Sequence, residues 1–194
     1  MKTTVILSCL LVGSSLTLNT HNFLTTKVNP SFTRNVTAKR SSEKTMPVAP
    51  IRIVIDKSSY ELYVYDKQGW FATYPVVFGN NTLDDKKMEG DRNTPEGSFK
   101  IANKRVHEKW DRYMGLDYPT AESLEKFKER KQRGEVPANA SPGGGIGIHG
   151  TWPHEDYVID RYKNWTNGCI SLKNEDIEDL YSYVPVGTPV TIRK

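Results

Sequence analysis

From residue 51 onward, apolar and polar positions alternate in short runs. Ile51, Ile53 and Ile55 are interleaved with Arg52 and Val54, and Leu62 and Val64 with Glu61, Tyr63 and Tyr65. A period of two predicts strands over 51–55 and 61–65, joined around Lys57, Ser58 and Ser59. After a polar turn at 66–69 the pattern resumes over 70–78, so the domain opens as an antiparallel β meander. Further strands are expected at 98–102, 146–150 and 190–192, with Ile170 and Leu172 marking one more. The period lengthens at 121–129, where Leu124 and Phe127 have helical spacing, Thr120 is an N-cap and Gly134 a stop. It lengthens again at 173–181, whose acidic first turn suits the helix dipole and whose Ile177, Leu180 and Tyr181 are expected to face inward. Residues 80–93 read as polar turns, with Pro95 and Gly97 fixing a bend before the next strand. Residues 104–139 read as an insertion.

Composition divides the 194-residue chain. Residues 1–49 carry six Lys/Arg against one Glu, whereas residues 50–194 carry 21 basic and 22 acidic side chains. The formal charge of +4 therefore belongs to the N-terminal part. Phosphate binding needs a basic face, so near-neutrality of the domain argues against nucleic acid as a partner, with a local patch between Lys126 and Arg133 left open. Lys2 precedes an apolar run over residues 5–12, followed by Gly13, Ser14, Ser15 and a Leu-Thr-Leu step to residue 18, too short for a comfortable span. It is expected to be a signal peptide or N-terminal anchor, with Cys9 a candidate for lipidation. Residues 19–49, rich in Thr, Ser, Asn and Lys, read as a flexible linker, leaving residues 50–194 as a catalytic domain of sufficient size for its own core. Export to the bacterial periplasm or cell envelope follows from that reading.

The chemistry concentrates between Gly147 and Leu172. His149 stands in a short apolar run, and Cys169, the only cysteine beyond residue 9, follows Thr166, Asn167 and Gly168. A thiol attacks as its thiolate, and free cysteine titrates near 8.5, so a base or a positive dipole must assist it. Asn167 and Gly168 suit a tight turn that can aim backbone N–H groups into one small space, a candidate oxyanion hole. The residues thus supply a nucleophile, a base and a place for developing negative charge.

These residues resemble the catalytic signature of the L,D-transpeptidase (YkuD-type) family, an Ile-His-Gly strand followed by a Ser/Thr-x-Gly-Cys-hydrophobic turn. Thr94, Pro95, Gly97 and Phe99 resemble the family's Thr-Pro-x-Gly-x-Phe element, and the stretches at 142–145 and 184–190 fit as well. The likeness covers roughly residues 50–193. It departs at Asn167, where many members have a second histidine. The resemblance implies a mainly β fold, a mixed β-sandwich or partial barrel with a helical insertion and a short helix after the cysteine. It also implies a monomeric, cofactor-free enzyme of cell-wall biogenesis and cell shape, acting on peptidoglycan stem peptides. On this resemblance Cys169 and His149 are catalytic, and the Gly150 carbonyl orients the imidazole. Read from the residues themselves, Asn167 and Gly168 are candidate oxyanion N–H donors, and Thr166, Trp110, Tyr113 and Trp152 are candidate substrate contacts. The acceptor is an amine in a transpeptidase and water in an L,D-carboxypeptidase or endopeptidase.

The same residues also admit blander readings. A buried cysteine is commonly a small hydrophobe, and a non-catalytic wall-binding module would keep the fold with a vestigial site. His149, His154, Cys169 and Asp156 can be written as zinc ligands, though their spacing matches no compact metal motif. The cations between Lys126 and Arg133 read as a solvated helix face, and His107 and His154 as surface residues. Arg92 and Thr94 read as scaffold beside the site. Trp110, Tyr113, Met114 and Tyr118 are either core or part of a lid over bound peptide.

Overall fold

The computed structural model describes residues 46–194. The expected signal or anchor at 1–18, Cys9 and most of the linker lie outside them. Eight strands form one sheet: β1 (Arg52–Asp56), β2 (Glu61–Asp66), β3 (Gly69–Pro75), β4 (Gly97–His107), β5 (Asp111–Leu116), β6 (Gly147–His149), β7 (Ile170–Ser171) and β8 (Pro189–Arg193). Their order is β3-β2-β1-β8-β4-β5-β6-β7, with β1–β8 and β6–β7 parallel and the remaining pairs antiparallel. Three helices join them: α1 (Ala121–Gln132), α2 (Tyr157–Asp160) and α3 (Asn174–Tyr183). The result is a mainly β, curled half-barrel with few helices.

The period-two pattern produces the core directly. Ile53, Ile55, Leu62, Val64, Val190 and Ile192 point to one face and are almost fully buried. Ile148, Ile170 and Leu172 join them, covered by Ile177, Leu180 and Tyr183 of α3. Tyr183 takes the inward place expected of Tyr181, which is half-buried at the helix edge. At the C-terminal end of α3, the Lys104 amine donates to the carbonyls of Tyr181 and Val184, both at 2.6 Å. Those carbonyls have no partner within the helix, so the amine replaces a conventional cap.

The expected insertion at 104–139 divides into two unlike parts. Its first half is sheet, because β4 runs on to His107 and returns as β5, which pairs with the histidine strand β6. A register irregularity between Ile101 and Asn103 switches the faces of β4, so Phe99 and Ile101 are buried while Asn103 and Arg105 are exposed. Only α1 is an excursion. Thr120 caps it through the N–H of Ser123, and no residue of it is buried. Its charges pair at helical spacing, Lys126 with Glu122 and Arg133 with Glu129, while Arg130 reaches Asp85 and the Lys86 carbonyl. This is the solvated face expected from sequence.

One buried cation was not foreseen. Lys57, fully buried, is bound by Glu96 at 2.7 Å and by the carbonyls of Asp84 at 3.0 Å and Thr94 at 3.3 Å. It ties the β1–β2 turn to the 84–96 loop that runs beneath the site. A buried ammonium needs such a set of oxygens, since an unpaired one costs several kcal/mol.

Candidate active site

Parallel pairing of β6 with β7 assembles the site. Ile148 faces Ile170 and His149 faces Ser171, so Cys169, one residue before β7, falls beside Gly147. The Gly147 N–H is directed at the Cys169 sulfur. His149 and Gly147 alternate with buried Ile148, which puts both on the face opposite α3. The strand β7 is fixed from its other side, where Val77 and Ser171 exchange N–H to carbonyl bonds of 2.9 and 3.0 Å.

The turn before Cys169 is held by its own hydroxyl. Thr166 Oγ1 donates to the Cys169 carbonyl at 2.7 Å and accepts the Gly168 N–H at 3.2 Å. Thr166 is therefore buried and engaged in the turn, and does not present its hydroxyl to substrate as expected. For the same reason the Gly168 N–H is withdrawn from the candidate oxyanion hole, and the N–H groups of Asn167 and Cys169 remain as candidates. Gly168 has φ +121, and a Cβ there would lie 2.8 Å from the Asn93 carbonyl, so the turn needs glycine for conformation and for space. Arg92 Nε and Nη2 reach the carbonyls of Thr166 and Trp165, both at 3.3 Å. Arg92 thus braces the turn, as the scaffold reading of this loop implies.

His149 is almost completely buried, and its Nδ1 lies 2.7 Å from the Gly150 carbonyl. A carbonyl only accepts, so Nδ1 carries the proton and Nε2 is left with its lone pair. Three aromatic side chains surround the ring. Trp110 stacks on it with centroids 4.5 Å apart, Tyr113 lies at 6.3 Å, and Trp165 meets it edge-on at 5.7 Å. His107 stacks on the far side of Trp110 at 4.4 Å, giving a continuous His107–Trp110–His149 stack. Sequence reasoning had placed His107 on the surface and had not singled out Trp165. The 20-residue spacing between His149 and Cys169 gave no sign of either. Trp152 is exposed and edge-on to Trp110 at 6.4 Å. Cover over His149 therefore comes from Trp110 and Tyr113 of the β4–β5 hairpin and from Trp165 of the loop before Cys169, and no residue of α1 is recorded against it.

Tyr113 is buried, with its ring lying on Gly147. A Cβ at that glycine would meet Tyr113 Cζ at 2.5 Å. The Tyr113 hydroxyl donates to the Gly145 carbonyl at 3.1 Å, and the Cys169 thiol donates to the same oxygen at 3.5 Å. Cys169 retains some accessible surface, yet burial pushes its thiol up, outweighing the Gly147 N–H and the distant Lys86 charge that favour the thiolate. Burial pushes His149 down to about 4, against the opposing Gly150 carbonyl, and the His107 charge adds to the lowering. Both groups are thus neutral at pH 7. His154, in contrast, is exposed, and the Asp156 carboxylate accepts from the Thr151 hydroxyl and the Asn174 N–H. Among the described residues no three His, Cys, Asp or Glu side chains group as a metal site.

The curled β half-barrel thus holds Cys169 just before β7 and a buried, carbonyl-bonded histidine on the adjacent parallel strand β6. The family model described as YkuD, the L,D-transpeptidase catalytic domain, matches residues 50–192, and the chain belongs to this family. It is 29% identical over 163 residues to a probable L,D-transpeptidase, YcfS, of Escherichia coli strain K12, covering 76% of this chain and 45% of that protein. Among solved structures it is similar to the helical cell shape determining protein Pgp2 from Campylobacter jejuni, with a TM-score of 0.57 at 25% identity, over 74% of this chain and 47% of that one. Bd1075 from Bdellovibrio bacteriovorus gives a TM-score of 0.51 at 20% identity, over 80% and 50% of the two chains. The chain spans about half the length of these relatives. No described helix is long and apolar enough to cross a membrane.

The burial of neutral His149 makes a pH prediction. In the unfolded chain the imidazole protonates near 6.5, and in the folded protein only near 4. Between those values the unfolded state binds the extra proton, so stability falls as pH drops through the window. Urea unfolding at pH 7 and pH 4.5 is expected to show the wild type losing about 2–3 kcal/mol more than His149→Gln. Equal losses in the two proteins would mean that His149 is not held neutral by burial.

Proposed function

We propose that the protein is an exported cysteine acyltransferase that acts on peptidoglycan stem peptides and passes the acyl group to an amine, forming cross-links. The observation that carries this reading is the His149 Nδ1 to Gly150 carbonyl bond of 2.7 Å. It leaves the basic nitrogen of a buried imidazole free on the face of the sheet where Cys169 stands. Family membership supplies the substrate class, and cell-envelope location is typical of that family. A contribution to cell shape is part of the same proposal, prompted by the likeness to Pgp2.

In this mechanism the thiol leaves the Gly145 carbonyl and gives its proton to His149 Nε2 as the sulfur attacks the carbonyl of the L-centre in an L,D-peptide bond. The two groups start neutral, so charge develops during attack, where pre-placed dipoles are most effective. The N–H groups of Asn167 and Cys169 receive the tetrahedral oxyanion. Collapse expels the terminal D-amino acid, whose nitrogen takes the proton back from His149, and a Cys169 thioester remains. An incoming amine attacks that thioester and loses its proton to His149. Breaking of the C–S bond then returns the proton to the sulfur. The aromatic walls of Trp110, Tyr113 and Trp165 exclude water from one side of the imidazole, which supports amine transfer over hydrolysis.

Incubation with purified stem tetrapeptides, with products read by mass spectrometry, tests the proposal. Wild type is expected to release the terminal D-residue and accumulate dimers, and Cys169→Ala to do neither. His149→Gln is expected to slow turnover by roughly 10²–10⁴, the range for loss of a general acid–base, and exposed His154→Gln to leave the rate unchanged. More than a few per cent activity in Cys169→Ala would overturn the nucleophile. Shortened peptides without dimers would replace the amine acceptor with water.

A further inference from the structure

One polar side chain in the catalytic strands has no part in the chemistry above. Ile170, Ser171 and Leu172 are all fully buried, and Ser171 carries the one hydroxyl in that run. A buried hydroxyl needs a hydrogen-bond partner, whereas an alanine in its place would need none. The sheet supplies that partner. Ser171 of β7 is paired with His149 of β6, so the two side chains share a face. The Ser171 hydroxyl donates to the Gly150 carbonyl at 3.3 Å and makes no other hydrogen bond among the described residues.

That carbonyl is the group on which the base depends. His149 Nδ1–H donates to it at 2.7 Å, and this bond leaves Nε2 with the lone pair that takes the thiol proton. An oxygen with two lone pairs accepts both donors. The bonds are unequal. At 2.7 Å the imidazole takes the stronger one, and at 3.3 Å the hydroxyl competes with it little. The hydroxyl therefore adds direction, fixing the carbonyl by a second contact that does not move with the ring.

The rest of the segment is held in the same way. The Gly150 N–H donates to the Trp110 carbonyl at 3.0 Å, and a Cβ at Gly150 would lie 2.2 Å from Asn174 Oδ1. Thr151, next along, donates its hydroxyl to Asp156 and accepts from the Asn174 amide. On the Gly150 carbonyl itself, Ser171 and His149 are the side chains that bind. Without the hydroxyl, imidazole and carbonyl are free to turn together. A carbonyl turned away from Nδ1 no longer favours the proton there, and a proton on Nε2 leaves no lone pair for Cys169. We propose that Ser171 is a positioning residue for the base, its hydroxyl holding the Gly150 carbonyl toward Nδ1 and so keeping the proton off Nε2. The inference rests on His149 acting as the base for Cys169, and it adds the group that fixes the tautomer. Ser171 takes no part in bond making or breaking.

The test reads the His149 tautomer at pH 7 by nitrogen NMR on the full chain with isotope-labelled histidine. It is set beside kcat and KM for release of the terminal D-residue from a stem tetrapeptide. Wild type is expected to show a single tautomer with the proton on Nδ1. Ser171→Ala and Ser171→Gly are both made, so that a folded chain without the hydroxyl is in hand. They are expected to show a mixture of tautomers and a kcat lowered about tenfold, a part of what loss of the base itself costs, with KM within about twofold of wild type. Ser171→Thr, which keeps the hydroxyl, is expected to restore the single tautomer and most of the rate. A serine that only fills space would change the melting temperature and leave the tautomer as it was. An unmoved tautomer or an unchanged kcat in the variants without the hydroxyl, or an equal loss in Ser171→Thr, would overturn the positioning role. A tautomer mixture in Ser171→Ala, beside a wild type that turns over no stem peptide, would leave the role standing and overturn the proposed activity. Turnover by wild type with the tautomer unmoved by loss of the hydroxyl would do the reverse.

Discussion

The two-pair parallel contact between β6 and β7 is the constraint on which the rest of the site depends. It is short, but it is bounded on both sides: Ile148 and Ile170 are buried in the main core, and Ser171 is bonded to Val77 across its other edge. A slip of β6 by one residue would turn Ile148 toward the site and His149 into the core, which burial forbids. The same register puts Cys169 beside Gly147. The absence of a side chain at Gly147 admits Tyr113, and the Tyr113 ring carries Arg105. Thiol, imidazole and the stacked guanidinium are therefore placed by one pairing decision.

Burial then sets the electrostatics. His149 is enclosed by Trp110, Tyr113 and Trp165, so its charged form is disfavoured, and the Cys169 thiol is raised by the same low-polarity surroundings. An ion pair at rest would need a solvation that this site does not supply. The Gly145 carbonyl holds both the thiol and the Tyr113 hydroxyl in that resting state. His107, stacked behind Trp110, extends the ring stack to the tip of the β4–β5 hairpin, so part of the cover over the imidazole belongs to the sheet itself.

Much of this was legible in the sequence, and the gaps have physical causes. The meander, α1 with its Thr120 cap, α3 and the candidate cysteine and histidine were all readable, because alternation, capping chemistry and a solitary thiol are local signals. The β4–β5 hairpin was taken for an insertion because residues 103–112 are polar on both faces and lack the alternation that one buried face imposes. Thr166 was read as a substrate contact, since sequence does not reveal that its hydroxyl closes the turn on Cys169 and Gly168. Lys57 could not be recognised as buried, because the oxygens that neutralise it come from Asp84, Thr94 and Glu96, far along the chain. Trp165 meets His149 from a loop held to the Phe78 carbonyl, and Trp110 reaches His149 through the pairing of β5 with β6, neither of which the sequence specifies.

The central claim is that Cys169 carries the acyl group. Rapid-quench intact-protein mass spectrometry, on the full chain mixed with a stem tetrapeptide, tests it most directly. The account predicts a transient mass increase equal to the tetrapeptide less its free terminal amino acid, mapped by digestion to the peptide containing Cys169. Product accumulating from wild type with the Cys169 peptide unmodified at every quench time, and at the same rate from Cys169→Ala, would contradict it.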